Sequence, residues 1–101
     1  MKIVEDENVL TVAIDEEMTI YNIAQLDDCF KSLYQDKRCL DIVLSAVSEI
    51  DSAGIQLLIV IYHERVANKL SIRLLDASQQ VRELMLFLNL AAYLDDETSP
   101  A

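Results

Sequence analysis

Ser52 and His63 are the first side chains to consider for chemistry, because a serine activated by a histidine base is a common nucleophile. His63 is the single histidine among the 101 residues. If both residues lie on one helix, eleven residues at about 1.5 Å each place them about 16 Å apart, whereas a catalytic hydrogen bond spans about 3 Å. His63 therefore cannot activate Ser52, and we predict that it is a solvent-facing helix residue.

Other common reaction sites are also missing from the sequence. Gly54 is the only glycine, so there is no glycine-rich phosphate loop and no glycine before Ser52 for a nucleophile elbow. The acidic groups at 15–17 and 95–97 lack the spacing of a calcium loop, and Cys29 and Cys39 do not form a metal-spacing motif or suggest a disulfide. We expect no catalytic residue, metal or cofactor, which favours a binding or signalling module over an enzyme.

The net charge of −10, from 8 basic and 18 acidic residues, limits the partners. Nucleic acid and anionic membranes both need a basic footprint, so neither is expected to bind. The longest apolar run, 55–62, is well short of the roughly 20 residues that span a bilayer. The opening MKIVEDENVL has acids where a signal peptide is apolar. The sequence predicts a cytoplasmic protein without membrane insertion.

Strand-like and helix-like patterns alternate along the chain. Alternating β-branched residues indicate strands, and apolar residues at helical spacing indicate helices, the first of them capped by Thr19 and the last by Ser78. The order predicts one α/β domain over residues 1–95, with a partly parallel sheet, followed by a polar tail over 96–101. The predicted strands are 1–4, 8–14, 39–47 and 70–77, and the predicted helices are 20–35, 53–68 and one that follows Ser78.

The second predicted helix is apolar on more than one side. At 100° per residue, one face can account for the core contact. The remaining apolar residues, Leu57, Val60 and Ile61, point the other way. Either neighbouring helices cover these three side chains, or they form a patch that binds a partner or a second copy of the chain. The residues assigned to the core face are Ile55, Leu58, Ile59, Tyr62 and Val66.

Several segments together resemble a known family. The turn and helix EIDSAGIQLLI, the strand LSIRLLDASQQV, the helix VRELMLFLNL and the segment MTIYNIAQL are similar to those of the STAS domain, the anti-sigma-factor antagonist family. The resemblance covers nearly the whole chain and is closest to the small single-domain bacterial members, many of them encoded with chemotaxis components. It implies a four- to five-stranded mixed sheet with about three main helices packed mainly on one face.

The resemblance also implies a mechanism. In the family, a serine or threonine after the turn's aspartate is phosphorylated by a partner that is both the anti-sigma factor and a serine kinase of the histidine-kinase-like ATPase type. Phosphorylation breaks the complex, and a phosphatase resets it. The matching residue here is Ser52. The implied partner surface comprises Thr19, Ile20, Tyr21, Asp51, Ala53, Gly54, Gln56, Leu57 and Ile61.

Two alternatives stay open from the sequence. Ser52 could serve only as a helix cap, worth about 1 kcal/mol, in a non-switching adaptor or accessory subunit of a transport or chemotaxis complex. The sequence also leaves the oligomeric state open, with a homodimer among the possible states. The chain also departs from the family at Glu16-Glu17 and Thr19, where many members have a glycine and acidic residues, and at Asn89, where a glycine is common. Asn89 can still adopt the left-handed conformation that ends a helix.

Overall fold

The computed structural model describes residues 1–95, so the tail predicted at 96–101 lies outside the described residues. The elements alternate as the sequence predicts; the first strand has the expected length, shifted by one residue, and the other three strands are shorter than expected. They are β1 (Lys2–Glu5), β2 (Val9–Ala13), α1 (Ile23–Lys31), β3 (Cys39–Val43), α2 (Ser52–Ala67), β4 (Ile72–Leu75), α3 (Gln79–Phe87) and a 3-10 helix (Ala91–Tyr93).

Within residues 1–95 the strands form one four-stranded sheet in the order β1-β2-β3-β4. β1 runs antiparallel to β2, and β2, β3 and β4 are parallel to one another. Alternate residues point to the same face of a strand, and the residues of one such face are buried. The mixed α/β sheet that the sequence and the resemblance predict is confirmed. The buried face carries Leu10 and Val12 of β2, Leu40 and Ile42 of β3, and Ile72 and Leu74 of β4.

The three helices contribute to the same core as that sheet face. Leu26 and Phe30 of α1 are almost fully buried, as are Val81 and Met85 of α3. The opposite sheet face carries a different row, in which the Asp41 carboxylate lies 2.7 Å from the Arg73 guanidinium. The helices therefore pack on one side of the sheet, as expected.

The first helix begins and ends inside its predicted range of 20–35. Thr19 does not cap it, and Asn22 occupies the N-cap position without a side-chain cap hydrogen bond. The Asn22 side chain is used in the preceding loop, where it accepts from the Thr19 N–H at 3.0 Å and donates to the Glu17 carbonyl at 2.5 Å. Residues 19–22 therefore form a turn ahead of the helix instead of its first turn.

The prediction for the faces of α2 is partly wrong. Leu57 and Ile61 are buried, with 6% and 0% of their surface exposed, whereas Val66 is 51% exposed. The helix contacts β4 and also α1, so apolar side chains on more than one side are covered. Of the three residues that pointed away from the predicted core face, only Val60 is exposed, at 47%. This excludes Leu57 and Ile61 as exposed anchors for a partner.

Arg65, near the end of α2, is fully buried, which the sequence pattern does not indicate. Its guanidinium donates hydrogen bonds to four backbone carbonyls, those of Leu33, Asp36, Arg38 and Ser71. The donor–acceptor distances run from 2.5 Å at Asp36 to 3.3 Å for the Nε–Ser71 contact. Arg65 thus joins the segment before β3 and the segment before β4 to the end of α2.

We expect Arg65→Met to destabilise the fold strongly. Methionine fills much of the same volume but donates no hydrogen bond, so buried carbonyls lose their partners at about 1–3 kcal/mol each. Urea unfolding should show a loss of about 3 kcal/mol or more in the free energy of unfolding. The control is Lys37→Met, an exposed position in the same segment, which should change the value by less than about 0.5 kcal/mol. Equal effects of the two substitutions would contradict the role given to Arg65.

Candidate functional site

Asp51 organises the turn between β3 and α2. It is the N-cap of α2, and its Oδ1 accepts hydrogen bonds from the N–H groups of Ala53 at 2.9 Å and Gly54 at 3.2 Å. Its Oδ2 accepts from the N–H of Ile20 at 2.9 Å. The helix cap is therefore Asp51 and not Ser52, which is the first residue of the helix. One carboxylate both begins α2 and holds the loop before α1 against it.

Gly54 is required because this loop passes directly over it. A Cβ atom at position 54 would overlap the backbone carbonyl oxygen of Met18 and press against the side chain of Ile50. Met18 and Ile50 form a parallel β-bridge, with Met18 N–H donating to the Glu49 carbonyl at 2.9 Å. The conformation of Gly54 has no positive φ angle, so the only glycine serves a close approach rather than a left-handed turn.

The Ser52 side chain is exposed at the surface of this turn. Within residues 1–95 its hydroxyl has no hydrogen-bond partner, because Asp51 satisfies the N–H groups that a capping serine would accept from. Nothing in the described part of the chain therefore needs the hydroxyl for folding. It is free to be modified or to contact another molecule.

The residues of the preceding loop divide into a buried anchor and two exposed side chains. Thr19 is 8% exposed; its Oγ1 donates to the Glu17 carboxylate at 3.1 Å and accepts from the Tyr21 N–H at 3.3 Å. Ile20 and Tyr21 are 69% and 91% exposed. An apolar and an aromatic side chain are thus presented to solvent beside the turn, because Asp51 fixes the backbone beneath them.

The nine predicted contact residues and Ser52 do not all reach the surface. The exposed ones are Ser52, Ile20, Tyr21 and Gln56, and Asp51 and Ala53 are partly exposed. The others are buried, so they are not presented at this surface. They are Thr19, Gly54, Leu57 and Ile61.

Two grooves flank the start of α2, and the sequence did not reveal either. The α1–α2 groove, of about 290 Å³, is lined by residues of α1, including Ile23, and of α2, including Leu57 and Val60. The α2–α3 groove, of about 330 Å³, is lined by Ser52, Ile55, Gln56, Ile59, Leu88 and Leu90. The run LMLFLNL was the available signal for the second groove, because it has more apolar residues than one helix face can bury.

The site is acidic. Segments 15–22 and 44–63 contain no lysine or arginine, but they include Glu16, Glu17, Glu49 and Asp51. Hydrogen bonds donated by the N–H groups of Ile20, Gly54 and Ala53 hold the pKa of Asp51 below its ordinary value, so it is a carboxylate at neutral pH. A molecule that binds here meets negative charge around an apolar surface.

Other candidate chemistry does not assemble in the described residues. His63 is exposed, and its Nε2 lies 2.8 Å from the Tyr93 hydroxyl, far along the helix from Ser52. Among residues 1–95 no group of His, Cys, Asp and Glu is arranged to hold a metal ion. The same part of the chain has no helix with the length and apolarity to cross a membrane.

The chain is a mixed α/β domain that shares its fold with solved anti-sigma factor antagonists. The unphosphorylated anti-sigma factor antagonist SpoIIAA superposes with a TM-score of 0.77 at 19% identity, covering 97% of this chain and 88% of that one. The phosphorylated form of SpoIIAA, the Bacillus cell fate determinant, gives 0.72 at 17% identity, covering 97% and 91%. A Thermotoga maritima protein assigned as an anti-sigma factor antagonist gives 0.82 at 16% identity, covering 94% and 83%.

The family model of the STAS domain matches residues 1–100, so the chain belongs to the STAS domain family. The resemblance read from the turn and the following helix is thereby confirmed. No curated protein matches the sequence significantly.

We expect Gly54→Ala to destabilise the protein, because the new methyl group overlaps backbone that the Met18–Ile50 bridge holds in place. Overpacking of this kind costs about 1–3 kcal/mol. Urea unfolding measures the loss, and amide chemical shifts of residues 18–21 should move because the loop must lift. The control, Ala53→Gly, weakens the same helical turn by about 1 kcal/mol without overlap and should leave the loop shifts nearly unchanged. Unmoved loop shifts in Gly54→Ala would contradict this account.

We expect Asp51→Ala to cost about 1–2 kcal/mol at pH 7, as the loss of an N-cap does. Because folding lowers the pKa of Asp51, its contribution is complete above the unfolded-state pKa of about 4 and is lost as the pH falls through the folded-state value. The difference between wild type and variant should therefore shrink below pH 4. Unfolding free energies at pH 7 and at lower pH test this, with Glu7→Ala, an exposed loop position, as the control. A difference that grows on acidification would contradict it.

Proposed function

We propose that this chain is an anti-sigma-factor antagonist-like signalling protein. It binds a partner that is both an anti-sigma factor and a serine kinase of the histidine-kinase-like ATPase type, and phosphorylation of Ser52 releases it. The supporting observation is the Ser52 hydroxyl, which is exposed and unpartnered within residues 1–95 while Asp51 caps the helix. A serine kept only as a helix cap would be using that hydroxyl.

The position of Ser52 suits a reversible modification. A phosphate at the start of α2 faces the positive end of the helix dipole, so the folded domain tolerates it. The phosphate adds about −1.5 to −2 charge next to the Asp51 carboxylate. A partner that covers the turn must then desolvate two neighbouring anions, which disfavours the complex. The modification thus acts on binding and leaves the fold intact.

The contact surface centres on Ser52, with Ile20 and Tyr21 on one side and Gln56 one helical turn away. Exposed aromatic and apolar side chains are the usual anchors of an interface. Thr19 and Gly54 hold the surface in place from beneath. The absence of basic residues from segments 15–22 and 44–63 favours a partner with a basic face and disfavours nucleic acid. A phosphatase that restores the hydroxyl completes the proposed cycle, in the cytoplasm.

A non-switching adaptor of a transport or chemotaxis complex is the second candidate. It is favoured by the exposure of Ile20 and Tyr21, 69% and 91%, because contacts through these side chains do not require a hydroxyl at position 52. The two candidates differ in whether a charge at Ser52 changes binding.

Capture from the native cell lysate separates them. Tagged wild type, Ser52→Ala, Ser52→Asp and Ser71→Asp serve as baits, and mass spectrometry quantifies what each retains. Ser71→Asp is the matched control, because Ser71 is an exposed serine beyond the other end of α2, whose 16 residues span about 24 Å at 1.5 Å per residue.

The switch predicts that a kinase-type ATPase binds wild type, Ser52→Ala and Ser71→Asp. Ser52→Asp should retain at least about tenfold less of this ATPase than wild type does. The captured ATPase should also transfer phosphate from ATP to wild type and not to Ser52→Ala. The same transporter or chemoreceptor proteins on all four baits would instead establish the adaptor.

A further inference from the structure

The end of α3 leaves three consecutive apolar side chains in solvent. Leu86, Phe87 and Leu88 are 64%, 83% and 38% exposed, while Val81 and Met85 of the same helix are fully buried. Single exposed apolar residues are normal on a protein surface. A contiguous apolar run beside a groove instead indicates an interaction site.

The α2–α3 groove lies next to this run. Its floor is one face of α2, with Ile55 and Ile59 four residues apart, and its wall is made by Leu88 and Leu90. The volume of about 330 Å³ leaves room for an apolar side chain from another protein.

A helix-ending turn puts both leucines on the same groove. Asn89 between them has a left-handed conformation with φ of 60°, as expected for an asparagine that replaces a helix-ending glycine. The N–H of Asn89 donates to the Leu86 carbonyl at 3.1 Å, and the N–H of Leu90 donates to the Met85 carbonyl at 2.7 Å. These are the two hydrogen bonds of a Schellman motif, which fixes the chain direction at the end of α3. The wall of the groove is therefore held by backbone.

Ser52 and Gln56 lie at the polar end of the same groove. The groove residues of α2 recur at helical spacing, three, four and seven positions after Ser52. They are Ile55, Gln56 and Ile59, so the Ser52 hydroxyl lies within two turns of the apolar floor. A side chain seated in the groove would therefore exclude water from the neighbourhood of Ser52. A charge at Ser52 would lose its hydration when the groove is filled, so the charge disfavours binding in the groove.

The α1–α2 groove is a weaker candidate for an apolar side chain. It is lined by Asp27, whose carboxylate accepts from the Tyr34 hydroxyl at 3.0 Å and lies 3.9 Å from the Lys31 ammonium. An apolar group entering there would disturb these charged and polar groups. In the α2–α3 groove the lining is apolar apart from Ser52 and Gln56.

Charge argues against a second copy of this chain as the occupant. Each copy carries a net charge of −10, and the segments around Ser52 include acids but no lysine or arginine. Pairing this face with itself would bring like charges together at a cost in affinity. A partner segment with basic residues gains affinity from the same acidic surroundings that weaken binding of a second copy.

We propose that the α2–α3 groove binds an apolar side chain from a lysine- or arginine-bearing helical segment of the partner, with Phe87 packing against that segment at the rim. The proposal rests on the proposed function, since it identifies where the partner of that same site is anchored. Phosphorylation of Ser52 then acts in part by charging the end of an apolar groove, which makes the buried anchor unfavourable.

The test uses the unphosphorylated chain, 15N-labelled, and a defined probe. The probe is a helical peptide with leucine at positions i, i+3, i+4 and i+7 and lysine elsewhere. Two control peptides replace lysine by glutamate or leucine by serine. Amide shift changes report the site of binding, and titration gives the affinity.

The proposal predicts that only the leucine–lysine peptide changes the amide chemical shifts of the groove residues. These are Ile55, Ile59, Leu88 and Leu90. Phe87→Ser, an exposed position that the fold does not need, and Ile59→Ser should each weaken binding about tenfold. Val60→Ser is the matched control: it is the next residue of α2 but lines the other groove, and it should change affinity less than about twofold.

Several results would overturn the proposal. These are absence of binding, equal binding of the glutamate or serine peptide, shift changes at the α1–α2 groove, or a loss in Val60→Ser as large as in Phe87→Ser. A wild-type dimer in sedimentation that Phe87→Ser converts to monomer would establish a second copy as the occupant and also overturn it.

A fourth variant separates this proposal from the proposed function. Ser52→Asp should weaken peptide binding about tenfold if charge at position 52 opposes the anchor. Peptide binding in the groove that is unaffected by Ser52→Asp upholds the groove as an anchor site and contradicts its coupling to charge at position 52, while the switch is still decided by the lysate experiment. Loss of the kinase from Ser52→Asp in the lysate experiment, without peptide binding in the groove, upholds the switch and contradicts the groove.

Discussion

The arrangement around Ser52 depends on the close approach of the Met18 backbone to Gly54. Only a residue without a Cβ atom lets the loop before α1 lie on the first turn of α2. Once it lies there, the Met18–Ile50 bridge can form and Asp51 can accept from Ile20 as well as from its own helix. Two segments that are distant in sequence thus become one rigid surface, held mainly by backbone groups.

The two ends of α2 are fixed by different means. At its start, the Asp51 carboxylate accepts hydrogen bonds from backbone N–H groups. Near its end, the buried Arg65 guanidinium donates hydrogen bonds to carbonyls of the segments before β3 and β4. Both devices pair charge with backbone dipoles instead of with an opposite charge. Each therefore fixes the path of a loop, which a surface ion pair between mobile side chains would not do.

The sequence predicted the fold better than the details of its surfaces. Alternating strands and the turn before Gly54 were readable because each depends on local spacing. The buried face of α2 could not be predicted, because this helix is apolar on most sides and its contact with α1 decides which side chains are covered. The sequence left open whether Ser52 caps α2, because serine and aspartate cap helices equally well, and the structure gives the cap to Asp51. Arg65 was missed because a charged residue gives no sequence sign that carbonyls will surround it.

The hydrogen bonds that begin α2 do not involve the Ser52 hydroxyl. If Ser52 itself capped α2, a phosphate there would disturb the hydrogen bonds that begin the helix, and the modification would change the fold as well as the surface. With Asp51 in that role, the Ser52 side chain can change its charge while the donors of Ala53, Gly54 and Ile20 keep their acceptor. Under the proposed switch, the added charge would disfavour binding only where a partner excludes water, at the α2–α3 groove and over the turn. The proposed switch would therefore release the partner without unfolding the domain.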